Sequence, residues 1–277
     1  MCRSQDNGGR RCPGHPRDLE KVQAYNVRRR ELYALKMGKT LAPAFLDIKV
    51  LRENPREDSE AYSNYLESAK KFSKSIGFDP EGRGALFQYS MVEYKALRDY
   101  LNGRFVSYDT EETPQTLWSE AKLAEVESMV NKLDSVLSKA KPSKVARRLY
   151  RGVVLHDHLE DHNAWIDEHF PVGGIFHQKG YMSTTLSPTK AADIFSRTLQ
   201  DDTTSIIIEI ISKQGAALNQ GTSHFGGSEQ EVLFPRNHAF KVVNVFKNVI
   251  YNYETTSLLR RRRTIIQVTD MDKENDV

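Results

Sequence analysis

The chain changes texture at Pro142. Ahead of it, apolar residues return every three or four positions, the spacing of helices packed on one face. Behind it come short runs rich in β-branched and aromatic residues, the pattern of strands. Helices first and strands afterwards, without strict βαβ alternation, imply an α+β fold, and no internal repeat interrupts this order.

Tyr62, Tyr65, Leu66, Ala69 and Phe72 predict an amphipathic helix over 57–74. Ser90-Met91-Val92-Glu93 has the form of a capping box, so a helix is expected to begin there and run to about 101, with Gly103 as its stop. Thr113-Pro114 reads as a cap and first helical residue, and Leu123, Val126, Met129, Val130, Leu133 and Leu137 form a long apolar stripe that Pro142 ends. Another helix over 18–39 rests on Leu19, Val22, Val27 and Leu32, with Arg28-Arg29-Arg30 as a solvated face. Strands are expected over 149–155, 181–185, 204–211, 231–234, 239–246 and 264–268. Helical segments fall near 159–169 and 187–199, the second opened by Ser187-Pro188.

Composition excludes several classes. At 277 residues, 39% hydrophobic and 28% charged, the chain has the make-up of a globular protein with enough interior to fold without staples. With 40 Lys and Arg against 37 Asp and Glu, a net charge of +3 does not by itself demand a nucleic-acid or lipid partner. The longest apolar run, 205–211, is broken by Glu209 and far shorter than the ~20 residues of a membrane span, so no membrane partner is expected. The first ten residues are polar and have no apolar segment of the signal-peptide kind. Residues 1–18, with Gly8-Gly9, Pro13-Gly14, Pro16 and several arginines, read as a flexible basic tail. Cys12-Pro13-Gly14-His15 is only half of a zinc site and Cys2 offers only a third ligand, so no metal is expected.

Glu229-Gln230-Glu231 leads directly into the run Val232-Leu233-Phe234. In an extended chain, residues two apart share a face, so both carboxylates are expected to point into one space, as acid–base or charge-holding groups. Just upstream, residues 222–228 form a small-residue loop with one aromatic, Phe225, the kind of segment that folds over a substrate. Two further elements have matching character: Tyr150-Arg151-Gly152 at a strand start, and Gly180-Tyr181-Met182-Ser183-Thr184-Thr185 in a second strand. An arginine in such a place suits an anionic partner such as a phosphate.

In this order the three elements resemble the arginine, serine-threonine and glutamate signature of the mono-ADP-ribosyltransferase family, in its branch of bacterial toxins and phage enzymes. The resemblance spans about 85–268 and includes Ala96-Leu97-Arg98-Asp99-Tyr100-Leu101 and the stretch Val232-Leu233-Phe234-Pro235-Arg236. It implies a split β-sandwich core with flanking helices over 81–277, the catalytic domain, preceded by a helical N-terminal extension over 19–80 that it does not explain. It also implies cleavage of the nicotinamide–ribose bond of NAD through an oxocarbenium-like state, in which positive charge must be held. By matching position Glu231 would be the essential glutamate, oriented by Ser183. Thr184 would support the nicotinamide pocket, and Arg151, with Gly152 beside it, would clamp the pyrophosphate or the adjoining ribose. Glu229 stands where family members that modify arginine carry Glu, so the acceptor implied is an arginine of a target protein. Phe225 matches an aromatic used for target contact, and Phe195 with Arg197 resembles the loop that covers nicotinamide mononucleotide in related toxins. Ser183-Thr184-Thr185 ends in threonine where the commonest form ends in serine, which keeps a hydroxyl.

Two other activities share these residues: NAD hydrolysis, with water in the acceptor's place, and modification of a nucleic acid. Nucleic acid is prompted by the basic stretches 144–148 and 260–263. Against it, the net charge is small, aromatic interleaving is absent, and Arg260 to Arg263 read equally as a solvated strand edge. The expected setting is a bacterial host or target-cell cytoplasm, reached by phage injection or a dedicated secretion system.

Overall fold

The computed structural model describes residues 50–51, 60–103, 106–107, 116–155, 161–192, 205–224, 228–250 and 262–271. All lie in one compact unit, residues 44–277. The tail, the helix expected over 18–39, both cysteines, and Phe195, Arg197 and Phe225 lie outside the described residues.

Strand β1 (Val50–Leu51) precedes helix α1 (Glu60–Ile76), which buries Tyr65, Ala69 and Phe72 of the expected stripe together with Ala61 and Ile76, while Leu66 is exposed. Helix α2 (Pro80–Gln88) starts with Pro80 at its first position and with Asp79, whose side chain accepts from the Gly82 N–H at 2.9 Å. It continues without a break through a π-helical turn, Tyr89–Glu93, into α3 (Tyr94–Leu101), which stops before Gly103 at φ 72°. The Ser90 capping box is therefore corrected. The chain is already helical there, and the Ser90 hydroxyl donates back to the Phe87 carbonyl at 2.9 Å instead of capping a new helix. Strands β2 (Val106–Ser107) and β3 (Thr116–Leu117) form a separate pair. Helix α4 (Glu120–Leu137) is capped by Ser119, not by Thr113.

Then come β4 (Ala146–Val154), α5 (His162–His169), β5 (Ile175–Gln178), β6 (Met182–Thr185) and the short α6 (Pro188–Lys190), with Ser187 as its cap. β7 (Ser205–Ser212), β8 (Ala216–Ala217), β9 (Glu231–Phe234), β10 (His238–Ile250) and β11 (Arg262–Asp270) complete the described elements. All six expected strands are present; β1, β2, β3, β5 and β8 are additions.

The main sheet runs β5-β10-β11-β7-β4-β6-β9-β8, with β1 also paired to β4. Its two parts meet through one residue pair, Tyr150 with Thr185, whereas β4 and β7 pair continuously from Arg147–Ser212 to Val154–Ser205. This single-pair junction splits the sheet, and the smaller part, β6-β9-β8, folds over the larger in the expected split sandwich. Alternation along β9 divides its faces. Val232 and Phe234 enter the core with Leu149, Ile208, Ile210 and Phe240, while Leu233 enters a second core with Leu86, Leu97, Leu133 and Tyr181. Glu231 therefore lies on the helical side of β9, with Leu233.

Helix α1 contributes to both cores: Ala61, Tyr65 and Ala69 to the first, Phe72 and Ile76 to the second. The Tyr65 hydroxyl donates to the Leu218 carbonyl beside β8. The arginine runs also differ from expectation. β11 lies between β10 and β7, and Arg263 is buried, donating to Ser205 Oγ and to the Ala192 carbonyl. Arg147 is buried too, and donates to the carbonyls of Gln214 and Gly215. Central strands bury side chains on both faces, so Arg263 reads inward and not toward the solvated edge expected; Arg260 and Arg261 lie outside the described residues.

A chain that begins at Phe78 lacks the α1 face and is expected to show no cooperative thermal unfolding transition, while Phe72→Ala in the full chain should cost about 3–5 kcal/mol. A folded product from the shortened chain would make α1 an appendage.

Candidate active site

The junction of β4 and β6 brings the sequence elements together. Arg151 follows Tyr150, the junction residue, and its Nη1 donates to the Ser183 carbonyl at 2.9 Å. Burial lowers the pKa of its guanidinium from the usual arginine value, and Tyr89 opposes that. Ser183 and Thr185 alternate with Thr184 along β6, and Thr185 sits opposite Glu231 on β9. The Ser183 hydroxyl reaches diagonally to Glu231 Oε1 at 2.7 Å, and Ser223 donates to Oε2 at 3.2 Å.

Glu231 is only 5% exposed. Burial pushes its carboxyl pKa up, the Ser183 bond holds it down, nearby Glu229 pushes it up again, and Ser223 lowers it. Glu229 is half-buried and is also raised by burial, with Lys190 of α6 opposing that. The two carboxylates do reach one cleft, though not by the extended geometry expected. Glu229 precedes β9 in a turn, and Gln230 has φ 52°, in the left-handed region. The Leu186 N–H donates to the Gln230 carbonyl at 3.3 Å and Thr185 Oγ1 to the Glu229 carbonyl at 2.7 Å, which hold that turn onto β6.

The cleft has a volume of about 590 Å³ and is lined from the sheet by Arg151, Gly152, Ser183, Thr184, Glu229 and Glu231. Thr184 is buried, and its hydroxyl is used on the Val232 carbonyl at 2.7 Å. The helical wall supplies Tyr89, Met91, Tyr94, Arg98 and Asn102. Tyr89 contacts Ser183, while Ser223 and Thr185 contact Glu231 and Glu229 directly, and none of the three was given a role from sequence. Thr185 was legible as the same-face partner of Ser183.

The segment read as a covering loop begins as a fixed one. Thr222 and Ser223 are buried, and three positions along the α2 helix and its π turn grip residues 221–224. Arg83 donates to the Gly221 carbonyl at 3.1 Å, the Phe87 ring meets His224 edge-on at 5.3 Å, and Ser90 Oγ accepts from the His224 N–H at 2.8 Å. Positions 83, 87 and 90 share one helical face.

Residues 58–273 match the family model of the ADP-ribosyltransferase exoenzymes. The chain belongs to this family. Its activity is transfer of ADP-ribose, with NAD as the donor. No curated protein sequence matches the chain. Solved structures of similar fold include C3stau2 from S. aureus, determined with NAD, at 17% identity and a TM-score of 0.50, covering 76% of this chain and 96% of that one. The Vis toxin, an ADP-ribosyltransferase from Vibrio splendidus, has 19% identity and a TM-score of 0.51, covering 81% and 91%. Plx2a, an ADP-ribosyltransferase toxin from Paenibacillus larvae, has 17% identity and a TM-score of 0.53, covering 77% and 97%. Among the described residues no helix is long and apolar enough to cross a membrane.

A raised carboxyl pKa makes the ionised Glu231 a cost to the fold. The folded chain holds the proton more tightly than the unfolded one, so stability falls as pH rises from the ordinary glutamate range through the folded value. Glu231→Gln is therefore expected to raise Tm at neutral pH, and the gain should vanish in acid. Calorimetry at the two pH values checks this; a variant less stable at neutral pH would contradict it.

Proposed function

We propose that the chain transfers ADP-ribose from NAD to arginine side chains of target proteins and releases nicotinamide. The observation that carries this reading is the pairing of Glu229 and Glu231 in one cleft with Arg151 and the Ser183 hydroxyl. The lining suits NAD: aromatic Tyr94 offers a face to a ring, Arg98 and Arg151 offer positive charge to phosphates, and the volume admits an extended ligand.

In this reading Glu231 accepts the hydroxyl of the nicotinamide-bearing ribose and holds the positive charge that develops as nicotinamide departs. Ser183 and Ser223 each give one hydrogen bond to its carboxylate, so it faces that charge ionised and fixed in direction. Arg151 meets the pyrophosphate, with its own orientation set by the Ser183 carbonyl. Glu229 receives the incoming guanidinium, a planar cation that a carboxylate orients for attack on the ribose carbon. Lys190 favours the ionised form of Glu229. Thr184 acts from behind, locking β6 to β9, and for Phe195, Arg197 and Phe225, outside the described residues, the roles are those the resemblance implies.

A protein acceptor is favoured over nucleic acid because Arg147 and Arg263 are turned to internal carbonyls and offer no phosphate-binding face. Vis, one of the solved structures of similar fold, has been determined in complex with agmatine, a free guanidino compound, and agmatine is the acceptor of choice for a test. Nicotinamide release from NAD is followed with and without agmatine, and the adduct is weighed by mass spectrometry. Glu231→Ala should lower release roughly 100- to 1000-fold. Glu229→Gln should lose the agmatine adduct and keep hydrolysis. Release without adduct by the unaltered chain would replace arginine transfer with glycohydrolysis or another acceptor, and full turnover by Glu231→Ala would remove the site assignment.

A further inference from the structure

A serine hydroxyl has one proton to give. Ser183 Oγ lies 2.7 Å from Glu231 Oε1 and 3.3 Å from the Tyr89 hydroxyl. With the carboxylate ionised, the serine proton belongs on Glu231, so the Tyr89 contact runs the other way, with the phenol donating and Ser183 Oγ accepting. Burial pushes the Tyr89 phenol up to about 12, so it keeps this proton through neutral pH.

The position of Tyr89 is itself prescribed. It opens the π-helical turn Tyr89–Glu93, an irregularity of a kind that recurs at functional sites, and its ring meets Tyr181 edge-on at 5.8 Å. The Tyr181 hydroxyl lies 2.8 Å from Asp134 Oδ1 and 3.0 Å from the Val130 carbonyl of α4, and Asp134 is paired to Arg236 at 2.7 Å. Helix α4 thus fixes Tyr181, and Tyr181 fixes the ring that faces Ser183.

We propose that Tyr89 is a positioning residue for ADP-ribosyl transfer: its phenol donates to Ser183 Oγ and thereby commits the serine's single proton to Glu231. This rests on the reading of Glu231 as the essential carboxylate. The groups facing Glu231 are Glu229 from the turn before β9, Tyr65 of α1 and Tyr89. Arg151 of β4 faces Tyr89, Arg98 of α3 faces Arg151, and Lys190 of α6 faces Glu229. None of these other groups bonds the Ser183 hydroxyl in the described contacts, so removing the phenol oxygen weakens one specific support of the ionised carboxylate.

The test is nicotinamide release by the full chain across acid to neutral pH, for the unaltered protein, Tyr89→Phe, Ser183→Ala and the double variant. Phe keeps the ring on Tyr181, so the fold is preserved. Tyr89→Phe is expected to lower kcat roughly five- to tenfold with KM for NAD unchanged. It should also move the acid limb of the kcat profile to higher pH, because a less firmly held Glu231 protonates sooner. In the Ser183→Ala background it should add nothing. An unchanged limb, a raised KM that makes Tyr89 an NAD contact, or an undiminished effect on top of Ser183→Ala would overturn the proposal. Glu231→Gln is measured alongside: turnover that survives it refutes the reading beneath, whatever Tyr89 does.

Discussion

A carboxylate that is 5% exposed stays ionised only if its neighbours replace the water it has lost, and the hydrogen bond from Ser183 to Glu231 is the main replacement here. Much of the surrounding structure serves that 2.7 Å contact. It requires β6 and β9 to pair in the register that sets Thr185 opposite Glu231, and the Thr184 hydroxyl on the Val232 carbonyl fastens that register from the other face. It also requires the Ser183 backbone to be held, which Arg151 does from β4. The arginine, the serine and the glutamate are thus one mechanical unit, not three independent ligands.

The split of the sheet explains why this unit opens onto a cleft. Had β4 and β6 paired along their full length, Arg151 and Ser183 would lie within a continuous ladder. A single pair, Tyr150 with Thr185, lets the small sheet diverge and leaves the helical wall of the π turn and α3 to close the other side. The preceding α2 and the π turn grip residues 221–224, so Ser223 approaches Glu231 from a segment anchored at Arg83, Phe87 and Ser90. A buried carboxyl, a left-handed Gln230 and a π turn all concentrate within this region, the kind of clustering of strain and desolvation that is common at functional sites.

The sequence carried the strands and the central site because both depend on neighbouring residues. Val232-Leu233-Phe234 is a short apolar run of the kind a buried strand needs, and Arg151, Ser183 and Glu231 were legible together, from the order of their three motifs along the chain. What stayed hidden depends on distant partners. Ser90-Met91-Val92-Glu93 has the letters of a helix start, yet the helix before it never ends, so the residue that matters is Tyr89 one position earlier. Arg147 and Arg263 lie in basic runs that suggest solvent, and only the strand order places them inside. Helix α1 was legible as a helix; its membership of both cores follows from packing that no local pattern encodes.

Family membership establishes the chemistry, and the geometry explains how this chain's residues would perform it. The central claim is that NAD lies with its nicotinamide-bearing ribose against Glu231 and Ser183 and its pyrophosphate against Arg151. A crystal structure of the full chain with a non-hydrolysable NAD analogue tests this most directly. The account predicts the ribose hydroxyl on the Glu231 carboxylate, with the Ser183 bond intact and the Glu229 side facing an open approach for the acceptor. An analogue bound away from Glu231, or a Glu231 carboxylate turned out of the cleft, would contradict it.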